Sequence, residues 1–260
     1  MEDVVVRREE RGSISVLTMQ YRPYNLLGPT LIGAIAAEVT AAQEAGSRAI
    51  ILRSGLRHFS AGADVAQFDA LVEQGGKSQS AIGGVDFLKS LELLPIPIVA
   101  SVHGVCLGGG FELALACDYI VAASSAKIGS VEVALGLHPL LGGIQRQVQR
   151  AGAMRAKEIA MLGRRYDAAT LERWGLVNLV VADDVLEDAM FTIAEEFAHG
   201  PTVAHAATKR LVHLAVNEGA LAADEAMAEI QKPIWASEDL KIGLASFRDN
   251  GPGLAKFTGR

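Results

Sequence analysis

The sequence predicts a layered α/β fold followed by a helical C-terminal portion. Strand-length apolar runs alternate with helix-period segments through the first two thirds of the 260 residues, the pattern of parallel strands joined by crossover helices. Half of the residues are hydrophobic and 27 are glycine, yet only 5% are aromatic, so the interior must be built from small side chains on closely approaching elements. Beyond Asp183-Asp184 the strand signals stop and apolar stripes of helical period run to the end. A chain of this length buries one large core, with room for a small appendage.

Each element has its own warrant. Residues 13–19 alternate polar and apolar, the signature of a strand with one buried face. Pro23 and Gly28-Pro29 break the chain, and from Thr30 the residues Leu31, Ile32, Ile35, Ala36, Val39 and Ala42 mark an amphipathic helix ending near Gly46. A buried strand spans 49–53. A helical region runs up to Leu94, an apolar run covers 96–102, a second helix starts at about Gly109, and further strands read at 118–123 and 176–181. Asp183 and Asp184 are placed to cap a helix whose stripe is Val185, Leu186, Ala189, Met190, Ile193, Ala194 and Phe197, and more helices begin at Pro201, Ala220 and Glu238. The chain therefore divides into an α/β core, 1–193, and a helical region, 194–260, too small for a core of its own and expected to pack on the first part or on another subunit. Residues 73–84, with four glycines and two serines, read either as an idle loop or as a lid over a ligand.

Charge narrows the function classes. The 24 Lys plus Arg against 30 Asp plus Glu give net charge -6 with no basic tract, so nucleic acid is not an expected partner. The start, MEDVVVRREERG, lacks a basic region followed by a long apolar one, and no stretch reaches the ~18 apolar residues of a membrane span. Cys106 and Cys117 lie in apolar sequence, against a disulfide framework or a thiolate zinc site, and no histidine or carboxylate spacing suggests a metal. The expected compartment is the cytoplasm, with no membrane association.

Two glycine-rich turns, 58–65 and 104–112, sit at strand exits that lead into helices. Free N–H groups and the positive end of a helix dipole there suit an anion or a polarised carbonyl, though a tight turn without a task fits as well. The triplet Gly108-Gly109-Gly110 does not make the G-x-G-x-x-G of a dinucleotide loop. Glu112 is the only charge between His103 and Asp118, and Glu132 is a single acid in apolar surroundings. Glu112 alone reads as a charge partner for a helix N-terminus; two such isolated acids beside glycine turns read as an acid/base pair. His138, before Pro139, and His103 read as structural. Ser101 and Ser130 lack the setting of a peptidase nucleophile.

The runs FSAGADV and VHGVCLGGGFELALACDYIVAASSAKIGSVEVALGL, the GGIQR segment and the terminal KFTGR resemble the crotonase, or enoyl-CoA hydratase/isomerase, superfamily over nearly the whole chain. The resemblance implies a crotonase-like spiral of repeated β-β-α units with a C-terminal helical trimerisation region, assembled as a homotrimer or a dimer of trimers. It implies an acyl-CoA substrate, with coenzyme A as part of that substrate and no separate cofactor. Carried over by position, the N–H groups of Ala63 and Gly109 form the oxyanion hole, Glu132 protonates the α-carbon, and Glu112 orients and deprotonates the attacking water. Ala61 and Val65 are implied to meet the adenine, Asp64 belongs to the same turn, Arg57 stands where a basic residue often lies near the phosphates, and Lys256 and Phe257 are implied to reach coenzyme, either their own subunit's or a neighbour's. Two departures stand out: Val131 replaces a proline before the second glutamate, and Leu140 replaces a glycine near the catalytic water, where a side chain narrows the acyl pocket or displaces the water. Both glutamates favour hydration; enoyl-CoA isomerisation, another crotonase-type reaction, and acyl-CoA binding without catalysis are the alternatives.

Overall fold

A computed structural model describes residues 4–65, 72 and 79–260. Its main sheet takes the order β1 (Val6–Arg11), β2 (Ile14–Met19), β3 (Ala49–Ser54), β4 (Ile98–Val102), β6 (Tyr119–Ala123) and β9 (Leu179–Val181). Only β1 and β2 pair antiparallel; every other neighbour is parallel, as the unbroken apolar runs predict. A second sheet holds β5 (Val105–Leu107), β7 (Lys127–Gly129) and β8 (Tyr166–Asp167).

These two sheets arise from one repeated step: a main-sheet strand, a short pairing in a second layer, then a helix. The chain goes from β2 through a parallel bridge at Leu27 to α1 (Pro29–Glu44), and from β3 through a bridge at Ser60 towards α2 (Gln79–Leu93). It then goes from β4 through β5 to α3 (Gly109–Leu115), and from β6 through β7 and a 3₁₀ turn (Glu132–Leu135) to α4 (Gly143–Leu162). Successive second-layer steps touch, Leu27 bridging Ala63 and Ser60 bridging Cys106. The turns leaving neighbouring main strands are thereby stacked beside one another.

The structure corrects parts of the strand reading. All six residues of β2 are buried, whereas the alternation predicted one solvated face. Helix α1 packs on β1 and β2, and α6 (Leu186–His199) packs on β2, β3, β4 and β6. The enclosed Ser15 hydroxyl meets Ser47 Oγ at 2.7 Å and donates to Glu10 Oε1 at 2.8 Å, so its burial costs no unpaired group. The charged sequence of β1 hides an edge strand whose side chains point largely to water. β5, β7 and β8 are too short for a periodicity signal.

Asp183 and Asp184 do not cap α6 by side chain. They open a 3₁₀ turn, and Asp183 Oδ1 accepts from Ser125 N at 3.1 Å. Helix α6 runs unbroken through the 193/194 division, and its Met190, Ala194 and Ala198 belong to the main core. After α5 (Ala168–Arg173) and α6, the chain ends in α7 (Thr202–Asn217), α8 (Ala220–Ile230), α9 (Lys232–Ala236) and α10 (Glu238–Asn250). Lys209 on α7 anchors this region, donating to Asp118 Oδ2 at 2.6 Å and to Ile96 O at 3.2 Å. Leu221, Trp235 and Phe247 on α8–α10 remain exposed. Residues 73–78 of the glycine-rich segment lie outside the described residues; Gln79 to Gly84 begin α2.

Candidate active site

The site forms where the turns after β3 and β4 lie side by side. Ser60 N donates to Val105 O at 3.2 Å, and Leu107 N donates to Ser60 O at 3.0 Å. Each turn then bends away through a glycine in the left-handed region, Gly62 at φ 117° and Gly108 at φ 51°. A side chain would resist these angles. In the bridge to Leu27, Leu27 N donates to Gly62 O and Asp64 N donates to Leu27 O. The N–H of Ala63 therefore points to the opposite side. Gly109 opens α3, and the N–H of a helix's first residue has no acceptor within the helix. A Cβ placed on Gly109 would lie 3.8 Å from Ala63 N, so the two backbone groups are neighbours.

Helix α3 carries Glu112 one turn further along, 2% exposed. Its Oε1 accepts from Leu141 N at 2.8 Å and from Gly143 N at 2.7 Å. That contact requires glycine at 143, since a Cβ there would come within 2.9 Å of the same oxygen. Burial pushes the Glu112 pKa up to about 7, with the charge of Glu132 adding to the rise and the N–H groups of Gly143 and Leu141 and the Arg146 charge opposing it. Glu132, at the start of the 3₁₀ turn, leans against the first glycine of the triplet: a Cβ on Gly108 would meet its Oε1 at 3.3 Å. Both its carboxylate oxygens are buried, with no hydrogen-bond partner from another of the described residues. Desolvation raises its pKa as well, against the pull of its own backbone N–H and of His138.

Around these groups lies a cavity of about 640 Å³. Glu112, Glu132, Ala63 and Gly109 all line it, as do Ala61, Asp64, Val65 and Leu140. The structure thus brings together eight of the residues singled out in the sequence. It does not bring in the other three. Arg57 is exposed and outside the lining. Lys256 and Phe257 lie on the terminal tail, where Phe257 O accepts from Arg48 Nη1 at 3.0 Å and the ring packs near Gly243.

Sequence reasoning missed Leu27, Ile32, Leu135, Leu137 and Leu141, whose side chains give the cavity its apolar wall, and Arg165 at its rim. It also missed Leu141 and Gly143 as N–H donors to Glu112; a glycine following a turn was the one signal available. Cavity-facing Gly83 and Gly84 on α2 come from the segment that read as loop or lid. Among the described residues, no group of three or more His, Cys, Asp or Glu side chains is placed to hold a metal ion.

Taken as chemistry, the site offers the backbone N–H groups of two neighbouring residues, a carboxylate held by two N–H groups, and a second carboxyl with no partner from another of the described residues, all in a largely apolar cavity. That set can stabilise a developing oxyanion while moving protons on both sides of it.

Residues 9–257 match the family model described as enoyl-CoA hydratase/isomerase. The chain is 33% identical over 246 residues to a probable enoyl-CoA hydratase of Rhizobium meliloti, covering 92% of this chain and 93% of the relative. It is 33% identical over 252 residues to the crotonyl-CoA hydratase of Syntrophomonas wolfei, covering 95% of each. Among solved structures, "Enoyl-CoA Hydrates Subunit I" from Geobacillus kaustophilus superposes with a TM-score of 0.89 at 31% identity over the whole of both chains.

Proposed function

The chain belongs to the enoyl-CoA hydratase/isomerase family, and on that premise we propose that it adds water across the double bond of a 2,3-unsaturated acyl-CoA thioester. One observation carries the reading: Glu112 and Glu132 face the same cavity as the adjacent N–H groups of Ala63 and Gly109.

As water attacks C3, electrons move through the conjugated bond onto the thioester oxygen. Donors fixed in place at Ala63 and Gly109 hold that charge without reorganising, and one such donor is worth about 2.7 to 4 kcal/mol where it has been removed. Two close carboxyls in a dry cavity share roughly one proton near neutrality. The two N–H bonds at Glu112 Oε1 offset part of the burial that raises its pKa to about 7 and favour the charge there, while desolvation favours the proton on Glu132. Glu112 accordingly takes the proton from water, and Glu132 gives its proton to C2. Exchange between the two carboxyls restores the starting state.

The coenzyme A portion belongs to the substrate, and Ala61, Asp64 and Val65 at the cavity margin are its first contacts; the reaction uses no separate cofactor. The exposed Leu221, Trp235 and Phe247 support assembly as a homotrimer or a dimer of trimers, in which Lys256 and Phe257 would reach the coenzyme of a neighbour. Two buried thiols, Cys106 and Cys117, support a reducing compartment, the cytoplasm.

Glu132→Gln or Glu112→Gln should lower crotonyl-CoA hydration by about 10² to 10⁴-fold with the fold retained. Undiminished turnover in either variant refutes the assigned role. Leu140 in the lining favours enoyl-CoA isomerisation as a second reading, because its side chain competes with the water. A 3-enoyl-CoA converted to the 2-enoyl product faster than crotonyl-CoA is hydrated would establish it.

A further inference from the structure

Arg146, the fourth residue of α4, is 7% exposed and neither moves a proton nor holds the thioester oxygen. Its guanidinium is used on both sides. Nε donates to Glu92 Oε1 at 2.8 Å and Nη2 to Glu92 Oε2 at 2.9 Å, a two-point fork onto α2. Nη1 donates to Leu141 O at 3.0 Å and Gly142 O at 3.2 Å. The peptide units so held are those bordering the N–H groups that Leu141 and Gly143 direct at Glu112 Oε1.

We propose that Arg146, itself aligned by Glu92, is a positioning residue that fixes the 141–143 turn so that its two N–H groups orient Glu112. The reason is geometric. The turn precedes α4, Gly142 is in the left-handed region at φ 89°, and the N-cap has no side-chain bond, so the turn takes its rigidity from elsewhere. A planar guanidinium can grip a carboxylate with one edge and two carbonyls with the remaining nitrogen; an ammonium cannot hold that fork. The pair also ties α2, whose Gly83 and Gly84 line the cavity, to the catalytic carboxylate.

The charged groups acting on Glu112 are Glu132 from the 3₁₀ turn and Arg146 from α4, with Glu92 paired to Arg146 from α2. Positioning and simple electrostatics therefore predict opposite signs for one variant. Glu92→Gln leaves Arg146 less compensated, and electrostatics alone would move the Glu112 titration down. Loss of the N–H clamp moves it up.

The inference rests on the hydratase reading, so the test has two arms. In the first, ¹³C NMR of labelled glutamate follows the Glu112 titration in wild type, Glu92→Gln and Arg146→Lys, with no substrate present. In the second, the same proteins hydrate crotonyl-CoA. The expected result is an upward shift of the Glu112 titration in both variants, with kcat lowered about 10 to 100-fold, the scale of a misplaced catalytic group, and KM changed less than about twofold because the oxyanion donors sit on other elements. An unchanged or lowered titration in Glu92→Gln, in a protein with wild-type circular dichroism, overturns the positioning role. Failure of the wild type to hydrate crotonyl-CoA overturns the activity reading instead, while the titration arm still decides the positioning.

Discussion

Gly143→Ala tests the carboxylate clamp by a single methyl group. A Cβ at this position would lie 2.7 Å from Glu112 Cγ, 2.9 Å from Oε1 and 3.2 Å from Cδ. Ordinary carbon contacts begin near 3.5 Å, so Glu112 and the α4 N-terminus must separate by roughly 0.8 Å to clear the 2.7 Å approach to Cγ. Position 143 is the first residue of α4, directly after the N-cap Gly142, where alanine has little helix propensity to gain. Overpacking costs about 1 to 3 kcal/mol, so the net loss of stability should stay within about 3 kcal/mol. Catalysis should suffer more, with kcat down about 10 to 100-fold, since a displacement of this size misaligns a proton acceptor. Loss of enone absorbance with crotonyl-CoA, read beside the thermal unfolding midpoint, separates the two effects. Full kcat in a folded Gly143→Ala protein would refute the view that the Gly143 contact sets the position of Glu112.

Three other outcomes follow from the same structure. Because the folded-state pKa of Glu112 is raised to about 7, its contribution to stability is complete below its unfolded value and is lost as pH rises through about 7; Glu112→Gln should therefore gain up to about 3 kcal/mol relative to wild type between pH 5 and 8, and a constant difference in unfolding midpoint across that range would contradict it. Lys209→Met leaves the largely buried Asp118 carboxylate without its 2.6 Å partner and should cost about 3 to 5 kcal/mol in urea unfolding; a loss below 1 kcal/mol would show that the pair does not hold α7 to the core. Leu140→Ala removes bulk from the cavity wall and should raise kcat/KM for longer or branched enoyl-CoA substrates over crotonyl-CoA by about 10-fold or more; an unaltered preference would place the acyl chain elsewhere.

The site was legible in the sequence to the extent that its parts are local. Glu112 stood out because a lone acid amid Gly, Phe, Leu and Ala is expensive to bury without a purpose, and Gly62 and Gly108 stood out because glycine takes the left-handed angles that bend the chain away from the paired turns. Arg146, Glu92 and Leu141 were not legible, because their roles come from pairings across 29 to 54 residues that leave no periodic trace. Likewise β1 was concealed by its charges, which an edge strand tolerates on its solvated side.

By itself the sequence determined the parallel main-sheet strands, the helices that follow them, and the two carboxylates with their glycine turns, since strand and helix period and backbone freedom are properties of neighbouring residues. Only the tertiary structure decided that the Ala63 and Gly109 backbones are neighbours, that Glu112 receives the N–H groups of Leu141 and Gly143, and that β2 is buried throughout. Those facts depend on which turn of the spiral lies against which, and that register is set by bridges such as Ser60 to Cys106 and Leu27 to Ala63: contacts between distant segments, whose strength no local pattern of residue types records.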